Sequence, residues 1–90
     1  MKYYFLKHNN ESHLLLFFAG WGMDYHVFPE LEEFNGDVCI CYDYTEMNFD
    51  EGLFVEYNHI KLVGWSMGVW VASFLLQHKS LKFEKKIAIN

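Results

Sequence analysis

One serine set between two glycines, in Gly64-Trp65-Ser66-Met67-Gly68, carries the strongest chemical signal in this 90-residue chain. The G-x-S-x-G pattern places a serine on a sharp turn between a strand and a helix, where its hydroxyl can attack an acyl carbon. Such a turn predicts a strained backbone at Ser66, with the hydroxyl standing clear of the sheet. Gly64 and Gly68 have no Cβ, which lets strand and helix approach closely at the bend. The N–H of Met67, at the helix start, would then face a developing oxyanion, with the helix dipole adding to the stabilisation. A second stretch, Ala19-Gly20-Trp21-Gly22-Met23-Asp24, puts two glycines around a tryptophan directly after an apolar run. A loop built to bring backbone N–H groups close to a ligand has this composition. Alone it reads equally as a tight turn with a packed tryptophan. Paired with the Ser66 elbow, it reads as the second half of an oxyanion hole.

These residues need strands and a helix to position them. Residues 59–63 read as a buried strand leading into the elbow, and residues 67–78 as the helix leaving it. Met67, Trp70, Val71, Phe74 and Leu75 fall at i, i+3, i+4, i+7 and i+8, one helix face. Val69, Ala72 and Leu76 make the other side apolar as well, which predicts a helix buried on most sides. Upstream, residues 2–6 form a short apolar-aromatic run, and residues 13–18 a continuous apolar one. Continuous rather than alternating apolarity predicts a strand covered on both faces, as in a parallel sheet flanked by helices. Residues 24–34 are expected to form a short helix whose regular part begins near Pro29, with Phe28, Leu31 and Phe34 as its apolar stripe. Residues 38–42 read as a third core strand, 50–57 as another helix, and 86–90 as a final strand. Alternation of this kind gives an α/β fold with a mostly parallel sheet.

The bulk numbers narrow the function classes. Composition is 52% hydrophobic and 20% aromatic, too apolar for disorder and richer in aromatic bulk than a small domain ordinarily buries. The net charge of −5 argues against nucleic acid as a partner. It is divided unevenly: residues 1–59 carry two lysines and eleven acids, residues 60–90 five lysines and one acid. Four of those lysines, Lys79, Lys82, Lys85 and Lys86, follow the elbow helix. They read either as a solvated helix end or as a docking patch for an acidic partner. The chain contains no arginine, so bidentate clamps on phosphate or carboxylate are unavailable. Cys39 and Cys41 lie two apart on one strand, hence on one face, a poor geometry for a disulfide. With no further ligands at suitable spacing, no metal site or cofactor is expected. Reduced, buried thiols point to a cytoplasmic protein. The apolar run at 14–19 is too short for a signal peptide's core, and no stretch is long enough to span a membrane.

The two motifs, Phe17-Phe18-Ala19-Gly20-Trp21-Gly22-Met23-Asp24 and Gly64-Trp65-Ser66-Met67-Gly68-Val69-Trp70-Val71-Ala72, resemble those of the BioG-type pimeloyl-acyl-carrier-protein methyl ester esterases, a branch of the α/β-hydrolases. Residues 38–44 and 88–90 also suit that family. The resemblance implies that residues 1–90 form the N-terminal part of a single α/β-hydrolase domain, with an oxyanion loop at about 19–24 and a nucleophile elbow at 64–68, and with the C-terminal part of the domain absent. It implies Ser66 as nucleophile, the N–H groups of Trp21 and Met67 as oxyanion hole, and Trp21 and Trp65 beside the acyl chain. The substrate would be the methyl ester of pimeloyl-acyl-carrier protein, in biotin synthesis, and the carrier protein would be the partner of the lysine patch.

The chain departs from the fold's catalytic pattern. A Ser–acid–His triad runs in that order along an α/β-hydrolase chain, yet after Ser66 only Glu84 and His78 could serve. His78 lies about 18 Å along the same helix, out of reach of the serine. His8, His13, His26 and His59 precede it; of these His26 follows the oxyanion loop. A triad serine without its histidine loses on the order of 10⁶ in rate, so the isolated chain is expected to be almost inactive. Two other readings stay open: a hydrolase remnant acting as a non-catalytic binding module, and an acyl hydrolase with a different ester or thioester substrate.

Overall fold

The computed structural model describes residues 1–24, 26, 29–77 and 79–89. It contains five strands, β1 (Lys2–Lys7), β2 (His13–Phe18), β3 (Asp37–Tyr42), β4 (His59–Trp65) and β5 (Lys85–Ile89), and one α-helix, α1 (Met67–Leu76). The strands make a single sheet in the order β1-β3-β2-β4-β5. β3, β2, β4 and β5 run parallel; β1 pairs antiparallel with β3 and makes the sheet mixed. The fold is therefore α/β, with the sheet parallel in three of its four pairings.

β2 explains why its sequence is continuously apolar. Leu14, Leu16 and Phe18 face one layer, with Cys39, Cys41, Ile60 and Leu62 from the neighbouring strands and Val71, Ala72 and Leu75 from α1. Leu15, Phe17 and Ala19 face the other, with Val38, Ile40 and Val63 and the flanking side chains of Leu31, Phe34 and Trp65. A strand with no solvent face has no place for polar alternation. The two cysteines are free thiols on the α1 face, both fully buried. Burial also pushes the Cys41 thiol well up from its ordinary pKa, which keeps it from acting as a thiolate nucleophile.

The helices expected upstream of the elbow are shorter and tighter than the sequence suggests. The segment at 24–34 is helical only over Pro29–Glu33, as a 3-10 helix without buried residues; Phe28 of its expected stripe lies outside the described residues. The start at Pro29 agrees with a residue that has no N–H to give. Three glutamates in the next four positions then leave little apolar surface for packing to extend the turn. The segment at 50–57 is helical only over Glu51–Leu53, where the Asp50 carboxylate accepts a hydrogen bond from Gly52 N–H as a cap. There Phe54 is fully buried and Tyr57 packs partly buried against the same core, while Leu53 and Val55 stay exposed.

The helix after the elbow forms, but its buried face differs from the expected one. Gly68, Val71, Ala72 and Leu75 are buried, and Met67, Trp70 and Phe74 face outward. The expectation of burial on most sides is thus corrected too. The phase of α1 is set at Gly68. A Cβ there would stand 2.2 Å from the carbonyl oxygen of Phe18 and 2.7 Å from that of Ala19. That backbone approach turns the small residues of the helix inward, and Trp70 and Phe74 stack on each other outside, rings 5.5 Å apart and 9° from parallel. Among the described residues no helix is long and apolar enough to cross a membrane, and no group of three or more His, Cys, Asp or Glu could hold a metal ion.

Candidate functional site

Sheet register brings the two motifs together. Phe18, the last residue of β2, lies opposite Gly64 of β4, so the loop at 19–24 and the elbow at 64–68 leave adjacent strands at the same level. They touch. A Cβ on Gly20 would lie 3.0 Å from Cδ1 of Trp65 and 3.4 Å from its carbonyl oxygen.

Ser66 has φ 53° and ψ −118°, a conformation that an L-residue holds only at a cost of about 1–3 kcal/mol. Three contacts hold it there. Its N–H donates to the carbonyl of Ile89 on β5 at 2.6 Å, and its carbonyl accepts from Val69 N–H at 3.0 Å. The strand and helix close in on each other at Gly64, where a Cβ would stand 2.9 Å from Cα of Val69. The serine is exposed and its side chain makes no capping bond to its own helix. Ser66 thus combines a strained turn, close glycine contacts on both sides and an exposed position.

The loop at 19–24 is a hydrogen-bonded turn. Met23 N–H donates to Gly20 C=O at 3.2 Å, and Gly22 takes φ +78°, as the third position of a type II turn requires. Trp21 occupies the second position, where the N–H takes no part in the turn bond. Its indole is 73% exposed, so the alternative of a packed tryptophan does not hold. Met67 is the first residue of α1, and the first N–H groups of a helix have no intrahelical acceptor. The backbone at Trp21 and Met67 thus flanks the Ser66 side of the sheet. The start of the loop is fastened to β3: Ala19 N–H donates to Cys41 C=O at 2.9 Å, and the Tyr44 hydroxyl donates to Ala19 C=O. Gly20, Trp21, Met23, Asp24, Tyr42 and Tyr44 are among the residues lining a hollow of about 380 Å³ beside this loop.

Trp65 turns the other way. It packs among Leu15, Phe17, Leu31 and Val63 and lines an apolar hollow of about 510 Å³ with Ile87 and Ile89.

The candidate acid and bases lie elsewhere. His59 and His13 begin β4 and β2, six residues along β4 from Trp65, which at a strand's rise is roughly 20 Å from the elbow. Their rings stack 4.3 Å apart. Glu84 accepts from His59 Nδ1 at 2.7 Å, so it belongs to that far end. His8 stacks on Phe5, rings 4.0 Å apart. His26 is exposed and pairs with Asp24, whose carboxylate lies 2.7 Å from its N–H and 3.1 Å from its Nδ1; those two bonds hold the Asp24 carboxyl below its ordinary pKa. His78 lies outside the described residues. No hydrogen bond from a described histidine reaches the Ser66 hydroxyl. The four lysines are exposed, and Lys85 pairs with Lys61 while Trp65 pairs with Ile89. Lys85 therefore sits roughly 13 Å down the sheet from the elbow.

Comparison with known proteins gives one family and several relatives. The family model described as pimeloyl-ACP methyl esterase BioG matches residues 1–90. The crystal structure of BioG from Haemophilus influenzae superposes with a TM-score of 0.74 at 40% identity, covering 98% of this chain and 40% of that one. A protein of Haemophilus influenzae described as uncharacterized is 47% identical over 95 residues, all of this chain and 40% of that protein. A malonyl-[acyl-carrier protein] O-methyltransferase of Bacteroides fragilis is 50% identical over 76 residues, 84% of this chain and 16% of that protein. The chain thus spans two fifths or less of the length of these relatives.

Proposed function

The chain belongs to the BioG family of pimeloyl-ACP methyl esterases, and on that premise we propose that it carries the nucleophile and oxyanion hole of a serine carboxylesterase. We read residues 1–90 as the N-terminal part of a single α/β-hydrolase domain. The substrate proposed is the methyl ester of pimeloyl-acyl-carrier protein, on the route to biotin. The observation that supports this reading best is the juxtaposition of a strained, exposed Ser66 with the turn at 20–23 through the Phe18–Gly64 register.

In the proposed reaction Ser66 Oγ attacks the ester carbonyl carbon. The carbonyl oxygen takes the negative charge between the N–H groups of Trp21 and Met67, where fixed donors are worth a few kcal/mol. Collapse of the tetrahedral species expels methanol, and water then frees the carboxylate from Ser66. A base must take the serine proton and return it to the leaving oxygen. No described histidine of this chain is bonded to Ser66, so the chain by itself turns over slowly, with only the roughly 10³–10⁴ over water that an oxyanion hole and binding leave. The exposed Trp21 is a candidate contact for the acyl chain; Trp65 instead supports the loop from below. An acidic carrier protein is the partner proposed for Lys79, Lys82, Lys85 and Lys86, approaching from the β5 side. A substrate carried on an acyl-carrier protein and two reduced thiols suit a cytoplasmic setting.

The test is covalent labelling of the full chain with a fluorophosphonate, followed by peptide mapping. Label on Ser66, lost in S66A, supports the esterase reading. Absence of label, or label spread over other hydroxyls, sinks it in favour of a non-catalytic binding role. Residual rates on pimeloyl-carrier methyl ester, short methyl esters and thioesters then rank the substrates. Charge reversal of the four lysines should raise KM for the carrier-linked ester alone; an unchanged KM removes the docking patch.

A further inference from the structure

We infer that Tyr44 is a positioning residue for the oxyanion hole, fixing through its hydroxyl the Ala19–Gly20 peptide, the unit just before the one that carries the Trp21 N–H; this rests on the esterase reading of the same site. β2 stops pairing with β3 at Phe18 and Cys41. One residue on, Ala19 is fully buried, and its carbonyl has passed the end of the ladder. A buried carbonyl requires a donor. The Tyr44 hydroxyl supplies it, at 2.5 Å from Ala19 O and 3.2 Å from Cys41 O.

With Ala19 N–H on Cys41 C=O, both backbone groups of Ala19 are anchored to the end of β3. A trans peptide is planar, so anchoring the Ala19 carbonyl also aims the Gly20 N–H, which points at Sδ of Met23 at 3.3 Å. The turn that presents Trp21 begins from that plane. The same carbonyl is one of the two against which Gly68 rests. One hydroxyl thereby sets the loop donor and the seat of the helix that carries the other donor, Met67.

The tyrosine is itself held in place. Asp43 takes φ 57° and turns the chain back, so that Tyr44 faces the strand end it has just left. The Asp43 carboxylate accepts from the Thr45 hydroxyl at 2.8 Å and meets Lys2 Nζ at 3.2 Å. Burial raises the phenol pKa far above its ordinary value, so the group stays an O–H donor wherever the chain is folded. Tyr44 also lines the hollow beside Trp21.

The experiment compares wild type, Y44F and Y57F, the last removing a tyrosine hydroxyl that bonds Asp37 at the opposite end of β3. Two readouts are taken on the full chain: amide hydrogen exchange by NMR, and the rate of Ser66 phosphonylation by a fluorophosphonate. Y44F is expected to speed exchange of the Ala19 and Met23 amides roughly five- to ten-fold, the loss of one buried hydrogen bond, leaving the amides of β2 and β4 unchanged. Ser66 labelling should slow about ten-fold through a lower limiting rate, with the reagent concentration at half saturation unaltered. Y57F should leave both readouts at the loop unchanged. The inference is overturned if Y44F leaves Ala19 and Met23 exchange at the wild-type rate. It is overturned equally if Y44F loosens the whole sheet to the same extent, which is a purely structural role. If no protein labels at Ser66, the esterase reading fails, and unchanged or sheet-wide exchange still counts against Tyr44 as the anchor of the loop.

Discussion

Gly68→Ala tests the tightest glycine position among the described residues. The added methyl would sit 2.2 Å from the carbonyl oxygen of Phe18 and 2.7 Å from that of Ala19. Ordinary carbon–oxygen approach is about 3.3 Å or more, so the helix start must withdraw on the order of 1 Å. Both obstructing atoms are backbone of buried residues at the end of β2 and cannot swing aside as a side chain would. Overpacking of this kind costs about 1–3 kcal/mol. In a domain of this size each kcal/mol moves Tm by roughly 4–8 °C, which predicts a loss of about 5–20 °C. The displacement carries Met67 N–H with it, and a misplacement near 1 Å at a reacting centre costs roughly 10²-fold in rate. G68A should thus lose Ser66 phosphonylation more steeply than it loses stability. The assay is thermal unfolding by circular dichroism, paired with labelling rates at 15 °C. Gly22→Ala is the control: nothing lies within 4 Å of its Cβ, and only the φ of +78° opposes it, so it should cost about 1–2 kcal/mol. A G68A protein melting within 2 °C of wild type would refute the claim that this contact sets the phase of α1.

Ser66→Gly should stabilise the fold by about 1 kcal/mol, because relief of the strained conformation outweighs the entropy of an added glycine; an equilibrium denaturation curve equal to or below wild type would contradict it. Asp37 is fully buried. Burial pushes its carboxyl up, but hydrogen bonds from the Tyr57 hydroxyl and the Asn9 and Glu11 N–H groups prevail and hold it below its ordinary pKa. A depressed folded-state pKa stabilises above the unfolded value near 3.9. That contribution should be intact at pH 5 and fade as pH falls below about 4, and D37N should flatten the loss; a mutant with the same acid dependence as wild type rules Asp37 out as its source. Tyr57→Phe leaves one oxygen of that buried carboxylate without its partner at 2.5 Å and should cost about 1–3 kcal/mol in urea denaturation, with no loss meaning that water has replaced the phenol.

The sequence made the strands and the strand-to-helix bend at Ser66 legible because each depends on local chemistry. β2 has an unbroken apolar run, and the serine turn has glycines at both points of contact. The pairing of the two motifs was legible as an expectation, though the register that joins Phe18 to Gly64 follows from the whole sheet. The face of α1 was not legible. Bulk suggested Met67, Trp70 and Phe74 as core, but the backbone contact at Gly68 selected the small residues and turned the aromatics out. The two upstream helices were overestimated because a few apolar residues at helical spacing do not extend a turn that has little to pack against. Tyr44 gave no signal of its own, since an isolated tyrosine after a strand says nothing about which carbonyl it will meet.

The strand order also decides when the elbow can exist. Every ladder joins segments far apart in the chain: Leu14 pairs with Asp37 and Lys61 with Lys85, the shortest separations, and His13 pairs with His59, 46 residues on. Among the described residues no hairpin is available as a seed, so each closure must be made before its contacts repay it, and refolding should fall in the millisecond-to-second range of non-local topologies. A microsecond phase recovering the full signal in stopped-flow or temperature-jump refolding would contradict this. Ser66 is held in its conformation by β5 on one side and by the seat of α1 on β2 on the other. The strained turn is consequently a late event in assembly, loaded only after the sheet has found its order, and a nascent or half-folded chain carries the serine as an ordinary, unactivated residue.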